Sequence, residues 1–174
     1  EMMGGIRVQV GDGVYKLPVE DAIGKIDKRI YEKTRFYREN GGVGELCGLW
    51  VSNQIKGIGM APYLVRAAIA SSNQLYFKTM IVICAEYSLK MFENVGFVID
   101  NSLGDDGNFS YPNSNYIAHV VGILNADTLE TASEFDKLAM KKLRNKSNQV
   151  IEEETNGIKS LISYQLTYNK ISVL

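Results

Sequence analysis

The sequence predicts a single α/β domain built on a mixed β-sheet, and three observations lead to this prediction. An apolar run at residues 46–51 leads directly into a glycine-rich loop, and a helical pattern starts at Pro62. A second apolar run, residues 80–85, shows no polar alternation, which is typical of a strand covered on both faces. Two such strands joined by one helix imply a right-handed parallel crossover. A length of 174 residues and a hydrophobic content of 45% suffice for one domain with its own core.

The N-terminal part of the chain predicts a hairpin followed by a charged helix. Residues 5–10 alternate in part and indicate a strand, the glycines around Asp12 indicate a turn, and residues 14–19 indicate the returning strand. Isoleucines recur at helical spacing within residues 19–40, which predicts one amphipathic helix of about twenty residues. A strand over residues 43–51 then leads into the glycine loop.

The middle of the chain predicts a helix on each side of the buried strand. The first begins at Pro62, where a helix needs no N–H donor, and ends at about Ser72. The second is short and covers residues 86–94. A polar stretch with turn residues, 100–115, is expected to be a loop, and the apolar residues 116–124 predict a strong strand.

The C-terminal part predicts one more helix and one more strand. Asp127 or Thr128 is expected to cap the helix, because their side-chain oxygens can accept hydrogen bonds from its first N–H groups. Residues 147–157 are expected to form a polar linker. Alternating apolar residues within residues 158–174 predict the final strand.

Composition narrows the functional class. A net charge of -1 gives no electrostatic basis for nucleic-acid binding, and no apolar run approaches the roughly 20 residues that span a bilayer. No signal-peptide pattern opens the chain. Cys47 and Cys84 are expected to be buried, reduced thiols of a cytoplasmic protein, and no metal site is expected around the lone His119. We expect the single domain, residues 1–174, to lack N-terminal elements.

The glycine loop is the strongest functional motif. It reads Gln-Ile-Lys-Gly-Ile-Gly-Met from Gln54 to Met60 and lies between a strand and a helix start. Free N–H groups and the helix dipole at such a position attract anions, and glycines let the backbone approach a phosphate. The spacing is neither that of a nucleotide P-loop nor that of a dinucleotide fold, whose sixth position is occupied here by Pro62. A purely structural glycine turn is the alternative.

Two ordered motifs resemble the GNAT N-acyltransferase superfamily. Gln-x-x-Gly-x-Gly, at residues 54–59, resembles the loop that binds the pyrophosphate of coenzyme A. Residues 91–97, Met-Phe-Glu-Asn-Val-Gly-Phe, resemble the segment Leu-Tyr-Glu-Lys-Leu-Gly-Phe of these proteins. The resemblance implies a three-layer fold, with a central, largely antiparallel sheet splayed at a parallel strand pair and helices on both faces. It also implies transfer of an acyl group from acetyl-CoA or another acyl-CoA to a primary amine of a small molecule.

The same resemblance implies where the donor binds, in the gap between the strand before the glycine loop and the strand at residues 80–85. Its pantetheine arm would contact backbone groups of Leu49, Trp50 and Val51. Its pyrophosphate would be held by backbone amides of Gln54, Ile55, Lys56, Gly57, Ile58, Gly59 and Met60. Lys56 would add positive charge, or would be an ordinary solvated lysine of the loop.

Three residues are candidates for proton transfer. Glu45 is positioned to deprotonate the amine, although it could instead be a strand-edge residue or an ion-pair partner. Glu86 is the second candidate base, or a helix cap. Many GNAT enzymes protonate the leaving thiolate with the Tyr that Phe92 replaces here, so Tyr87 is the candidate acid, unless it is simply packed. Transfer without a general acid, or a site that only binds, are the alternatives.

One branch of the superfamily shares further features. A helix inserted before the motif strand resembles the acyl-homoserine lactone synthases and the long-chain N-acyl amino acid synthases. Gly-Gly-Ile-Arg, ending at Arg7, and the Glu45 of Glu-Leu-Cys-Gly also resemble this branch, but Cys47 and Gly48 depart from its Glu-x-Ser-Arg motif. The branch implies a long acyl chain on CoA or on an acyl-carrier protein. A cluster of basic residues either complements the helix dipole and aids solubility or docks such a carrier: Lys137, Lys141, Lys142, Arg144 and Lys146. A non-catalytic CoA-binding module and a homodimer are further possibilities.

Overall fold

A mixed six-stranded sheet forms the centre of the molecule. The structure is a computed structural model that describes residues 1–55, 57–155 and 157–168. The strands follow the order β1-β2-β3-β6-β4 across the sheet, and β5 pairs with β6. Only β2 and β3 are parallel; the other pairs are antiparallel. The strands are β1 (Gly4–Val10), β2 (Val43–Val51), β3 (Thr79–Ala85), β4 (Val98–Ile99), β5 (Asn108–Ser110) and β6 (Ile117–Ile123).

Helices cover both faces of this sheet, which confirms the predicted three-layer architecture. One apolar core lies under α1 and α2, and a second, larger core lies under α3, α4 and α5 on the opposite face. No helix among the described residues is long and apolar enough to span a membrane. The helices are α1 (Pro18–Ile23), α2 (Arg29–Glu39), α3 (Met60–Ala70), α4 (Glu86–Asn94) and α5 (Glu134–Asn145).

The N-terminal hairpin prediction is wrong. β1 is present, but residues 14–19 form no returning strand, because Pro18 begins α1 and β1 pairs with β2 instead. The single helix predicted over residues 19–40 is two helices. Gly24 ends α1 in close contact with the ring of Tyr31, where a Cβ would lie 2.2 Å from the Tyr31 hydroxyl. Helical spacing alone did not reveal this break.

The C-terminal region also differs from the prediction. The cap of α5 is Ser133, whose hydroxyl accepts the Asp136 N–H, rather than Asp127 or Thr128. Residues 147–157 are not a linker: they contain β7 (Asn148–Thr155), which pairs with β8 (Ile158–Gln165) in a separate two-stranded sheet. Residues 169–174 of the predicted final strand lie outside the described residues.

The feature that shapes the site is the separation of the two parallel strands. β2 and β3 pair only through three positions, which end at Glu45 opposite Ile81. Beyond that point β2 carries a bulge against β1, with Gly48 at a φ of +63°. A bulge bends the strand that contains it, and the positive φ favours glycine. The result is an open gap between the second half of β2 and the second half of β3.

Candidate functional site

The gap between β2 and β3 is a deep cleft with a volume of about 830 Å³. Its two walls are the unpaired edges of both strands, and α1 and α4 close its sides. Because the strands are parallel up to Glu45, both carboxyl ends open onto the same side of the sheet, where ligand sites of α/β proteins tend to lie. The side chains that line it from the two strands include Glu45, Leu46, Cys47, Leu49, Trp50, Val51, Val82, Ile83 and Cys84.

Glu45 lies at the closed end of the cleft and is fully buried. Its Oε2 accepts the Val19 N–H of α1 at 3.0 Å, whereas its Oε1 has no hydrogen-bond partner among the described residues. Burial raises the pKa of Glu45 to about 8, and the Val19 hydrogen bond opposes this only in part. Leaving a buried oxygen unpaired costs free energy, about 1–3 kcal/mol in typical cases, so this position fits a carboxyl group that meets a ligand.

The three residues of β2 that were predicted to bind the donor line the cleft. Leu49, Trp50 and Val51 lie on the part of β2 that has left β3, so β3 does not pair with their backbone. The indole of Trp50 covers Gly5 of β1, where a Cβ would lie 2.8 Å from Nε1. Trp50 is the only tryptophan of the chain, so its fluorescence can report directly on occupation of the cleft.

The glycine loop joins this wall to α3. A short turn, Asn53–Ile55, contains Gln54 and Ile55, and Ile58 donates its N–H back to the Ile55 carbonyl. Gly57 and Gly59 both have positive φ, at +106° and +77°, and Gly59 is the N-cap of α3. Met60 is the first residue of the helix, and Pro62 is the third. The Lys56 prediction lies outside the described residues.

The end of the β7–β8 hairpin packs against this loop. A Cβ at Gly59 would lie only 2.3 Å from Cγ2 of Thr155, and the Thr155 hydroxyl donates to the Tyr63 hydroxyl of α3 at 2.6 Å. Gly57 faces open space instead. The two positions therefore favour glycine for different reasons. Position 59 has a positive φ and no room for a Cβ beside Thr155, whereas position 57 has only the positive φ.

The two candidate residues of α4 occupy different environments. Tyr87 lines the cleft and is 88% exposed, so the alternative of a packed tyrosine is wrong. Glu86 is not among the residues that line the cleft; its carboxylate bonds Nε2 of the buried His119. The other His119 nitrogen faces the Gly107 carbonyl, at 3.1 Å. Phe92 is buried, packs edge-on against Phe97, and has no proton to donate.

Sequence analysis did not identify the pair formed by Arg7 and Cys47. The two residues are opposite each other in the β1–β2 register, and the Arg7 Nε–H donates to the Cys47 sulfur at 3.0 Å. Arg7 forms no ion pair with any carboxylate in the part of the chain that the structure describes. The sequence signal that could have pointed to Cys47 is its position two residues after Glu45, which places both side chains on one face of β2.

A smaller polar pocket of about 470 Å³ adjoins the cleft beside Arg7. Pro18, Ala22 and Tyr111 line both cavities, so the pocket and the cleft meet at these residues. The remaining pocket residues are polar or charged: Arg7, Gln9, Lys16 and Asp21. A ligand in the cleft can therefore extend a polar group toward a guanidinium.

The predicted basic cluster on α5 is smaller than expected. Arg144 points inward, where its guanidinium donates to the carbonyls of Ile69, Asp127 and Ala126. Lys137 is largely covered and pairs with Glu134 at 3.8 Å. The exposed members are Lys141, Lys142 and Lys146.

Comparison with known proteins agrees with this architecture. No protein-family model and no curated protein matches the sequence. Among solved structures, the chain is similar to FeeM, an N-acyl amino acid synthase from uncultured soil microbes, with 13% identity and a TM-score of 0.56 over 78% of this chain and 67% of FeeM. A GNAT family acetyltransferase from Elizabethkingia anophelis with acetyl-CoA bound also matches, with 11% identity and a TM-score of 0.36 over 68% of this chain and 97% of that one. The chain therefore shares the fold of FeeM, in agreement with the architecture predicted from its sequence.

Proposed function

We propose that this protein is an N-acyltransferase that moves an acyl group from an acyl thioester, acetyl-CoA or another acyl-CoA, to the primary amine of a small molecule. One observation carries the proposal: the buried, half-paired carboxyl of Glu45 lines the cleft that opens where β2 leaves β3. The fold, the cleft and the glycine loop support a binding site for the acyl donor. The Glu45 carboxyl group supports a proton-transfer reaction beside that site.

The donor lies along β2 in this proposal. The backbone of Leu49, Trp50 and Val51, free of β3, can hydrogen-bond the amides of the pantetheine arm as a neighbouring strand would. The pyrophosphate lies at the N-terminus of α3, where first-turn N–H groups have no partner in the helix and the dipole favours negative charge. Gly57 and Gly59 let this backbone come close to the phosphates.

Glu45 acts as the general base. An amine attacks only when neutral, so its proton must be removed, and the Glu45 carboxylate can accept this proton directly or through a water. The unpaired Oε1 is the atom available for it. The nitrogen then bonds to the thioester carbonyl carbon, the carbon–sulfur bond breaks, and the acyl group leaves as an amide. The exposed Tyr87 hydroxyl is the proposed proton donor for the leaving thiolate. Glu86, held by His119, is the less suitable base.

Arg7 favours a more specific second candidate, an acceptor that carries a carboxylate as well as an amine. Its guanidinium lines the pocket that joins the cleft. It interacts electrostatically with Glu45 but has no carboxylate at ion-pair distance among the described residues. Guanidinium groups bind carboxylates strongly because two N–H donors match two oxygens. The likeness to an N-acyl amino acid synthase supports the same candidate. The branch that the sequence resembles adds to this candidate a long acyl chain on CoA or on an acyl-carrier protein.

Calorimetric titration with acetyl-CoA, a long-chain acyl-CoA and an acylated carrier protein, followed by turnover assays with a panel of amines, tests the proposal. We expect saturable binding of at least one donor, with a change in Trp50 fluorescence, and amide formation with at least one amine. Failure of all three donors to bind would refute the acyltransferase function. Binding without turnover over a broad panel would favour a non-catalytic CoA-binding module.

A further inference from the structure

Cys47 lines the cleft beside the proposed base, Glu45. It lies on β2 two residues after Glu45, before the bulge at Gly48, so both side chains are on the same face of the strand. It lines the cleft and is partly exposed there. Pro18 and Ala22, where the cleft meets the polar pocket, line the cleft together with Cys47. A thiol on this side of a bound thioester is an internal nucleophile, present before any amine arrives.

The surroundings of Cys47 provide the two groups that thiol chemistry requires. The Arg7 Nε–H donates to the sulfur at 3.0 Å and stabilises negative charge on it, while the thiol faces the Arg7 carbonyl at 3.7 Å. Burial nevertheless raises the pKa of the Cys47 thiol, so a base is needed to form the thiolate. Glu45 is that base, because its buried Oε1 has no partner among the described residues and lines the same cleft.

We propose that the bound donor acylates Cys47, giving an S-acyl protein. This inference rests on the proposed function, since it needs an acyl thioester in the cleft. The Cys47 proton passes to the Glu45 carboxylate, the sulfur bonds to the carbonyl carbon, and the carbon–sulfur bond to the donor breaks. The departing thiolate then takes this proton from Glu45, which regenerates the Glu45 carboxylate. One thioester replaces another without oxidation or reduction, so the exchange is reversible and an amine can later release the acyl group as an amide.

Cys84 provides the matched comparison within the same cleft. It lies on β3, is buried, and packs into the larger core under α3, α4 and α5. Burial, together with the nearby Glu86 carboxylate, raises the pKa of its thiol to about 12. It also has no guanidinium donor comparable to Arg7 among the described residues. Acylation is therefore expected at Cys47 and not at Cys84.

The test is intact-protein mass spectrometry of the full chain incubated with acetyl-CoA or a long-chain acyl-CoA and no amine, followed by peptide mapping. Calorimetry and Trp50 fluorescence measure donor binding in the same samples. We expect one acyl group on the peptide that contains Cys47, removed by hydroxylamine, absent from Cys47→Ala, and suppressed by a CoA analogue that lacks its thiol. A donor that binds without modifying Cys47 would overturn this inference and leave the proposed function standing. A donor that does not bind would overturn both.

Two further outcomes would also contradict the inference. Equal modification of Cys47 and Cys84, or equal modification in urea-unfolded protein, would mean ordinary thiol reactivity rather than a reaction organised by the cleft. The Arg7→Gln variant tests the positioning role of the guanidinium. We expect acylation at neutral pH to slow roughly tenfold and its pH profile to move to higher pH, with partial rescue in Arg7→Lys. A slower reaction with an unmoved pH profile would indicate only a structural role for Arg7.

Discussion

Two of the sites that contain buried carboxylates, one around Arg66 and one at Glu45, are built in opposite ways. Around Arg66, Asp136 accepts the Arg66 Nε–H at 2.6 Å and Glu153 lies 3.6 Å from its Nη1. The Tyr164 hydroxyl donates to Glu153 at 2.8 Å. We call these four residues the Arg66 cluster. Glu45 has one backbone hydrogen bond and an unpaired oxygen.

The Arg66 cluster connects elements that are far apart in the chain. Arg66 belongs to α3, Asp136 to α5, Glu153 to β7 and Tyr164 to β8. The guanidinium also stacks near the ring of Phe135, with its carbon 5.0 Å from the ring centre. Paired charges of this kind fix the position of the C-terminal hairpin. Glu45 connects only α1 to β2 and keeps one oxygen available, so the difference separates a carboxylate used for structure from one available for chemistry.

Removing the cation is the strongest test of the structural side of this comparison. Arg66→Leu leaves Asp136 and Glu153 buried without their positive partner, and we expect the free energy of unfolding to fall by about 3–5 kcal/mol. Urea denaturation followed by circular dichroism measures this. The exposed pair of Lys90 and Glu93 gives the control, since Lys90→Ala should change stability by less than about 0.5 kcal/mol. Similar losses in both variants would mean that the Arg66 cluster contributes no more than a surface ion pair.

The corresponding change at Glu45 should affect activity rather than stability. Glu45→Gln keeps an oxygen that can accept the Val19 N–H but cannot accept a proton from an amine. We expect turnover to fall about a hundredfold or more, with donor affinity unchanged by calorimetry. Stability at about pH 4.5, where Glu45 is protonated, should change by less than about 1 kcal/mol. Unchanged turnover would exclude Glu45 as the base.

Stability should depend on pH through Glu45. Its pKa is raised from 4.5 to about 8 on folding, so the folded protein holds a proton that the unfolded chain releases above pH 4.5. The contribution of protonated Glu45 to the free energy of unfolding is complete below pH 4.5. It falls by about 1.4 kcal/mol per pH unit as the pH rises toward 8. Denaturation of the wild type and Glu45→Gln across this window measures the difference. Parallel pH profiles would mean that Glu45 keeps an ordinary pKa.

The smallest expected effect lies where the hairpin held by the Arg66 cluster meets the cleft. Gly59→Ala introduces a Cβ at positive φ and against Thr155, whereas Gly57→Ala introduces one at positive φ into open space. A left-handed backbone costs a residue with a Cβ about 1–2 kcal/mol, so both variants should lose stability. Gly59→Ala should lose more, and should also weaken donor binding in a Trp50 fluorescence titration. Equal effects would show that the Thr155 contact is unimportant.

Much of the fold was predictable because the central elements have strong local patterns. Residues 43–51 and 86–94 form β2 and α4 with the predicted bounds, and the run at 80–85 lies within β3. The break between α1 and α2 was missed because Gly24, which ends α1, packs closely against Tyr31, and helical spacing in the sequence does not show this contact. β7 was missed because its sequence is mostly polar, with three consecutive glutamates and no alternation of apolar residues, so it resembles a polar linker.

The candidate site was predictable only in part. The glycine loop and Glu45 follow from motif spacing and strand position. The burial of Glu45 Oε1 without a described hydrogen-bond partner depends on how α1 packs over β2. The placement of Arg7 opposite Cys47 depends on the register of β1 and β2. Neither is encoded locally. Glu86 was a reasonable candidate by position, but its bond to His119 links residues 33 positions apart in the sequence.

The proposed base, Glu45, is a buried acid that must ionise before it can accept the proton of an amine. The most direct measurement is the pH dependence of kcat/KM for the wild type with a saturably bound donor and an accepted amine, compared with Glu45→Gln. We predict that the wild-type rate constant rises with an apparent pKa near 8 while stability falls over the same range, and that the variant lacks this rise. An identical profile in both proteins would contradict the claim.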